Sequence, residues 1–191
     1  MRFKEVQLVQ SKAEGDAGEF SAIVSAFGNV DRAGDRMLPG SFSRTLKDWR
    51  GSGDPIPIVL SHQWNDPMAH VGSADPNEVR ETAEGLVVRG KLDLSENPIA
   101  KQTYKLLKER RLKGWSFGYT VPTGGERMRD GVNEVSEVDL IEVGPTLVGA
   151  NPAARTLAVK SLDETPDRFR IGGARQKLAA APVRVAEFAV E

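Results

Sequence analysis

The feature that most constrains this chain is a serine between two glycines, Gly114-Trp115-Ser116-Phe117-Gly118, together with the position of its histidines. The pentapeptide is typical of α/β-hydrolases, in which a strand leads into the serine, a helix follows it and the catalytic histidine comes later. Here the two histidines, His62 and His70, both precede Ser116. This order excludes an α/β-hydrolase, and a nucleophilic Ser116 requires another fold with its base earlier in the chain.

The residues around Ser116 predict a helix that leads directly into a strand. Asn97-Pro98, followed by apolar side chains at three- and four-residue spacing, predicts a helix over residues 98–112 with Gly114 as its C-cap. In a strand over residues 115–121, the aromatic side chains share one face and Ser116 lies on the other. We therefore expect the aromatics in the core and Ser116 in a groove, with a purely structural serine as the alternative.

His62 is the second candidate for chemistry, because it follows the apolar run Ile58-Val59-Leu60, which predicts a buried strand. A histidine at the end of such a strand is held by the sheet and yet open to a cleft, where it can act as a base. An ordinary histidine that hydrogen-bonds to a loop fits the pattern equally well. His70 lies in the next predicted strand beside an apolar neighbour, and a structural role is favoured for it.

Glu142 stands between two β-branched residues in a predicted strand over residues 132–143. Burial of a carboxylate is costly unless it is paired, so Glu142 either meets a cation or a histidine or points to solvent. The remaining pattern is also rich in strands. Further strands are predicted over residues 20–27, 85–94 and 146–150, a short helix over 42–49, and a polar loop over 122–131.

Composition excludes several classes of function. A formal net charge of -1 gives no bias toward nucleic acid or an anionic membrane, and the basic side of the 98–112 helix is expected to be solvated. The absence of cysteine excludes disulfides, thiolate zinc sites and cysteine nucleophiles. A metal site built from His62, His70 and Asp66 has too few well-spaced ligands, so no metal or cofactor is expected.

The chain divides into one domain over residues 1–160 and a tail over 161–191. The tail begins with charged residues, continues through a Gly-Gly pair and ends in an alanine-rich stretch, a composition typical of a linker or an extended tail. The amino terminus lacks the apolar core of a signal peptide, and the sequence contains no apolar run of membrane-spanning length. We therefore expect the protein to remain in the cytoplasm.

Several motifs in this order resemble the prohead maturation protease family of tailed bacteriophages, over residues 18–160. They are Ala26-Phe27-Gly28-Asn29-Val30-Asp31, Leu38-Pro39-Gly40-Ser41-Phe42, a strand ending at His62, the stretch from Gly114 to Tyr119, Leu140-Ile141-Glu142-Val143 and Ala150-Asn151-Pro152-Ala153. The resemblance implies a mainly β fold with α-helices. The expected type is the antiparallel β-barrel of the herpesvirus assemblin proteases, with two or more peripheral helices and often a dimer.

The function that the resemblance implies is that of a serine endopeptidase encoded by a phage or prophage. It would act inside the procapsid, in the host bacterial cytoplasm, and cleave the scaffold protein or the scaffold-like segment of the major capsid protein. The tail over residues 161–191 would be a self-cleaved or scaffold-binding segment. The main alternative is a non-catalytic β-rich capsid assembly module that retains the protease fold.

The resemblance also implies roles for particular residues, with Ser116 as the nucleophile and His62 as its base. Glu142 is the expected third member that orients the imidazole, and His70, Asp66 and Asp139 are the alternatives. Backbone N–H groups are expected to stabilise the oxyanion. The chain departs from the family at Gly144-Pro145, where a serine commonly follows the Glu-Val pair.

Overall fold

Eleven strands and two helices make up residues 18–160, the part of the chain that the computed structural model describes. The expectation of a mainly β chain with helices is confirmed. Residues 1–17 of the predicted domain and the predicted tail over residues 161–191 lie outside the described residues.

The strands range from three to eight residues in length, and three of them are the longest, with eight residues each. The strands are β1 (Glu19–Ala26), β2 (Asp35–Met37), β3 (Ile56–Val59), β4 (His70–Ala74), β5 (Val79–Glu81), β6 (Gly85–Leu92), β7 (Gly114–Thr120), β8 (Glu126–Arg129), β9 (Val132–Val135), β10 (Asp139–Thr146) and β11 (Arg155–Val159). The helices are α1 (Ser43–Ser52) and α2 (Pro98–Lys108).

Eight strands form one sheet in the order β11-β1-β6-β4-β3-β10-β7, with β5 paired to β6, and β2, β9 and β8 form a second, three-stranded sheet. Most pairs of the large sheet are antiparallel, as predicted. The exception is β3 with β10, which pair in parallel with Ile58 opposite Val143. Because these two strands run in the same direction, the chain that leaves β3 toward His62 passes alongside the second half of β10.

The large sheet curls into a half-barrel, because the strands at its two ends face each other across the core. Phe20 of β1 stacks on Trp115 of β7 with 4.7 Å between ring centroids. The indole Nε1 of Trp115 also donates a hydrogen bond to Thr156 Oγ1 of β11 at 2.9 Å. Trp115 is fully buried, so this contact joins the two end strands inside the core.

The helix α2 starts at the predicted Pro98 and α1 one residue after the predicted start, and both helices end differently from the prediction. Asn97 caps α2, since its Oδ1 accepts from the backbone N–H groups of Ile99 and Ala100 at 2.8 and 3.1 Å. The predicted extension of this helix to residue 112 is wrong, because Arg110 takes a left-handed backbone with φ 57° and ends the helical path. Gly114 is consequently the first residue of β7 and not a cap.

Three strand predictions also need correction. The predicted strand over residues 132–143 is two strands, β9 and β10, separated by the irregular residues 136–138, where the Ser136 N–H donates to Gly125 O at 2.7 Å. The predicted loop over residues 122–131 contains β8, which pairs with β9. The predicted strand over residues 146–150 is wrong beyond Thr146, the last residue of β10: Leu147 and Val148 are exposed in a bend, Ala150 is buried, and the last strand of the described chain, β11, follows.

Candidate active site

The turn that carries His62 has an unusual backbone. Directly after β3, Ser61 and His62 both adopt left-handed conformations, with φ of 50° and 57°. Side chains disfavour this region, so such a pair persists only where the surrounding structure holds it. The turn is closed by hydrogen bonds from Gln63 N to Leu60 O at 3.2 Å and from Trp64 N to His62 O at 2.9 Å. The imidazole is thereby directed back across the sheet toward β10 and β7.

Ser116 lies in the middle of β7 and is 2% exposed. Its neighbours Trp115 and Phe117, and Tyr119 beyond, are buried in the core as the alternation predicted, and the rings of Phe117 and Tyr119 stack with 4.9 Å between centroids. These aromatics fix the rotation of β7 about its axis. The Ser116 side chain is therefore presented on the opposite face of the sheet.

A bulge in β10 brings Glu142 to the same face as Ser116. Leu140 is paired with Tyr119 and Glu142 with Gly118, so Ile141 is an additional residue without a partner in β7. Strict alternation would place Glu142 on the core face with Leu140, because residues two apart share a face. The additional residue reverses this orientation and delivers the carboxylate to the face that carries the hydroxyl.

The His62 ring joins these two side chains. Its Nε2 lies 2.8 Å from Ser116 Oγ, and its Nδ1 lies 2.5 Å from Glu142 Oε1. Glu142 is 1% exposed, whereas the histidine side chain is 32% exposed and reaches solvent. A hydroxyl, an imidazole and a buried carboxylate are thus connected in that order by two hydrogen bonds.

Two glycines provide the space that this arrangement requires. A Cβ at Gly118 would lie 2.6 Å from Glu142 Oε1 and 2.7 Å from Trp64 Cζ2, closer than real Cβ contacts. A Cβ at Gly144 would lie 1.7 Å from Val59 O, inside the backbone of β3. Gly118 therefore admits the carboxylate, and Gly144 lets β10 approach the end of β3. This contact explains physically why a glycine follows the Glu-Val pair in this chain.

Trp64 packs beside the histidine and was not identified from the sequence. Its ring lies 6.4 Å from that of His62 at an angle of 77°, an edge-to-face arrangement, and it also covers Gly118. Within residues 18–160, its Nε1 and Glu142 Oε2 are both buried without a hydrogen-bond partner. The indole therefore keeps water from one side of the histidine–carboxylate contact. The only sequence signal was its position two residues after His62.

The alternatives for the third member lie elsewhere. Asp66 Oδ1 accepts from Met68 N at 2.9 Å in a separate turn, His70 is exposed at the start of β4, and Asp139 pairs with Arg44 at 2.6 Å. In the part of the chain that the structure describes, no three histidine, aspartate or glutamate side chains are grouped to hold a metal ion. No helix of that part is long and apolar enough to cross a membrane.

The order hydroxyl, imidazole, carboxylate is that of the triads of serine hydrolases, which occur on several unrelated folds. Comparison with known proteins shows to which family of proteases this chain belongs. The chain belongs to the caudovirus prohead serine protease family, whose model matches residues 5–168.

Two individual proteins illustrate the relationship. The chain is 27% identical to the prohead protease of Enterobacteria phage HK97 over 172 residues, which covers 85% of this chain and 69% of the relative. It also resembles the solved structure of the bacteriophage T4 capsid assembly protease, with a TM-score of 0.50 and 12% identity over 68% of this chain and 81% of the other. At that identity, the second likeness shows the fold alone.

Proposed function

We propose that this protein is a serine endopeptidase of phage head maturation in which Ser116 is the nucleophile, His62 its base and Glu142 the group that orients the base. One observation carries the proposal: a single imidazole lies 2.8 Å from the hydroxyl and 2.5 Å from a buried carboxylate. Membership of a serine protease family supports the chemistry. The geometry supports the assignment of these three residues.

The two hydrogen bonds of the His62 ring indicate which of its nitrogens carries the proton. A carboxylate at Nδ1 accepts the Nδ1–H, so the neutral ring presents a lone pair at Nε2 to the Ser116 hydroxyl. As Oγ bonds to the substrate carbonyl carbon, its proton moves to Nε2. The resulting imidazolium faces the buried Glu142 carboxylate, and their attraction is stronger beside the protein interior than in bulk water.

The second half of the reaction returns the same proton. The imidazolium protonates the leaving amine as the peptide C–N bond breaks, which leaves the acyl group on Ser116. Water then adds to the acyl carbon while His62 takes one of its protons. Collapse of this intermediate passes the proton back to Oγ and releases the carboxylic acid product, which restores the starting state.

The substrates that we propose are the scaffold protein or the scaffold-like segment of the major capsid protein, cleaved inside the procapsid in the host bacterial cytoplasm. The family description and the name of the relative from phage HK97, both of which specify a prohead protease, support the procapsid as the location and its proteins as the substrates.

We extend the proposal to architecture and assembly. The half-barrel sheet, mainly antiparallel and joined end to end through Trp115 and Thr156, supports a barrel of the herpesvirus-protease type. Residues 1–160 would form the protease domain, and residues 161–191 a self-cleaved or scaffold-binding segment. A homo-oligomer such as a dimer would be the working form.

Co-expression with the cognate capsid and scaffold proteins tests the proposal. We expect defined new termini in the capsid or scaffold chains by mass spectrometry, absent with Ser116→Ala and retained with Ser73→Ala, a control at an exposed strand serine. A fluorophosphonate probe should label Ser116 of the purified protein. A wild-type chain that cuts neither partner and does not react with the probe would contradict the proposal and favour the non-catalytic assembly module.

A further inference from the structure

The turn that follows β10 exposes two consecutive aliphatic side chains. Leu147 is 73% exposed and Val148 is 67% exposed. Within residues 18–160, they are the one pair of consecutive large apolar residues that are both exposed. Single exposed apolar residues are common on protein surfaces, so the exposure alone has no functional meaning. Its meaning depends on where the pair lies.

The pair lies between the segments that carry His62 and Ser116. Thr146, immediately before Leu147, has its Oγ1 3.4 Å from the Oγ of Ser61, the residue before His62. On the other side, Gly149 packs on the strand of the nucleophile, since a Cβ at Gly149 would lie 2.5 Å from Trp115 O. The turn therefore contacts the residue that precedes each of the two candidate catalytic residues, His62 and Ser116.

The backbone of this turn is held on both sides of the exposed pair. Arg32 Nη1 donates a hydrogen bond to Gly149 O at 3.1 Å. A Cβ at Gly114 would lie 2.7 Å from Thr146 O and 2.9 Å from Gly149 N, so the start of β7 also packs tightly against both ends of the turn. The backbone that carries Leu147 and Val148 is thus held in place, which favours binding because little backbone ordering is left to occur.

We propose that Leu147 and Val148 form an apolar substrate subsite that receives an aliphatic side chain of the peptide next to the scissile bond. The inference rests on the proposed function, because it requires a peptide whose carbonyl reaches Ser116. Exposed apolar surface close to candidate catalytic residues is a common feature of ligand-binding sites. A substrate side chain laid on these two residues would remove apolar surface from water on both partners.

The effect of removing this subsite should fall on substrate recognition. A Leu147→Ser/Val148→Ser double variant loses contacts that ground state and transition state share, so KM should rise about tenfold with a smaller change in kcat. Met128→Ser is the matched control, because Met128 is 70% exposed on β8, in the separate three-stranded sheet.

A peptide library with all residues represented at each position would test the subsite. Wild type, the double variant and Met128→Ser would each digest it, and mass spectrometry would read the cut sites. Fluorophosphonate labelling of Ser116 would normalise each digestion to the amount of reactive enzyme. We expect wild type and Met128→Ser to prefer an aliphatic residue at one position within two residues of the cut, and the double variant to lose that preference.

The outcomes separate this inference from the proposed function. Ser116 labelling together with cut sites that show no aliphatic preference, or a preference that the double variant retains, would overturn the subsite and leave the protease assignment standing. Labelling without cleavage of any library member would also overturn it, since the library contains the required side chains. A wild-type chain that neither labels nor cuts would overturn both.

Discussion

Gly118 and Glu142 lie directly opposite each other across the β7–β10 ladder, and the carboxylate occupies the space in which a side chain at position 118 would begin. The glycine after the candidate nucleophile therefore has a steric role. In an α/β-hydrolase, the glycines of this pentapeptide permit a sharp turn around the serine. Here the same pentapeptide lies in an extended strand, and Gly118 leaves room for the Glu142 carboxylate, which contacts His62.

A methyl group at position 118 should therefore inactivate the site. In Gly118→Ala the added carbon would displace Glu142 Oε1 and the Trp64 ring, from which it would be 2.6 and 2.7 Å away. Displacements of about 1 Å in such a site cost on the order of a hundredfold in rate. The rate of fluorophosphonate labelling of Ser116 measures the loss.

Gly51→Ala is the control for this substitution. Gly51 lies in α1, and no atom comes within 4 Å of a Cβ placed there. Alanine is favoured over glycine in a helix by about 1 kcal/mol, so this variant should label at the wild-type rate and unfold at slightly higher denaturant concentration. A folded Gly118→Ala protein with an unchanged labelling rate would contradict the steric role.

Removing the charge of Glu142 should cost less than removing the nucleophile or the base. In Glu142→Gln the amide can donate to Nδ1, which favours the wrong histidine tautomer, and comparable changes lower kcat about ten-thousandfold. Ser116→Ala or His62→Ala should each cost about a millionfold, and combining them should add little because triad members act as a unit. Cleavage of a peptide drawn from the library measures each rate.

A substitution of Asp139, an alternative for the residue that orients His62, should have a much smaller effect than Glu142→Gln. Asp139→Asn breaks only the exposed ion pair with Arg44, so its turnover should remain within about twofold of wild type, because such pairs contribute little. If Asp139→Asn were as inactive as Glu142→Gln, the assignment of the third member would be wrong.

Acid should weaken the small sheet through Glu134. Burial opposes ionisation of this carboxylate, but hydrogen bonds from Arg127 and Arg36 and the charge of Arg129 outweigh it and hold the pKa of Glu134 below its ordinary value of 4.5. A lowered pKa in the folded state contributes stability that is complete above pH 4.5 and is lost as pH falls through the folded value.

Urea unfolding of wild type and Glu134→Gln at a series of pH values measures this contribution. Wild type should be more stable than Glu134→Gln at pH 7, and the gap should narrow below pH 4.5 as the carboxylate of wild type becomes protonated. Glu78→Gln, which removes an exposed pair with Arg89, serves as the control and should show little difference at either pH. A gap for Glu134→Gln that stays constant with pH would contradict the prediction.

The contact between the two ends of the sheet predicts a stability effect at Thr156. Thr156→Val removes the hydroxyl that accepts from the Trp115 indole and leaves a donor without its partner in the core. An unsatisfied buried donor costs about 1–3 kcal/mol, measurable by urea denaturation. Thr156→Ser keeps the oxygen and should lose less. Equal stability of Thr156→Val and wild type would show that the indole finds another acceptor.

Local sequence signals predicted the elements whose pattern is complete within a few residues. The strand that carries Ser116 follows from its alternating aromatics, and the start of α2 from the cap at Asn97. The end of α2 could not be predicted, because Arg110 adopts its left-handed backbone as Leu112 enters the core. The strand β11 was missed, since its place depends on pairing with β1.

The residues of the candidate site likewise divide into those with a local sequence signal and those placed by long-range contacts. His62 and Ser116 are identifiable from a strand end and a pentapeptide together with the family resemblance. Whether Glu142 faces core or groove depends on the bulge at Ile141, which exists only in the pairing of β10 with β7. The role of Trp64 could not be predicted from its position near His62 alone, because it arises from a contact with Gly118, which is distant in sequence.

The parallel pairing of β3 with β10 has a consequence for the newly made chain. Ile58 and Val143 belong to segments that are distant in the chain, so the entropy of closing the intervening loop opposes their pairing. We therefore expect the hydroxyl, the imidazole and the carboxylate of the candidate site to align only once β3 and β10 are paired in the completed sheet.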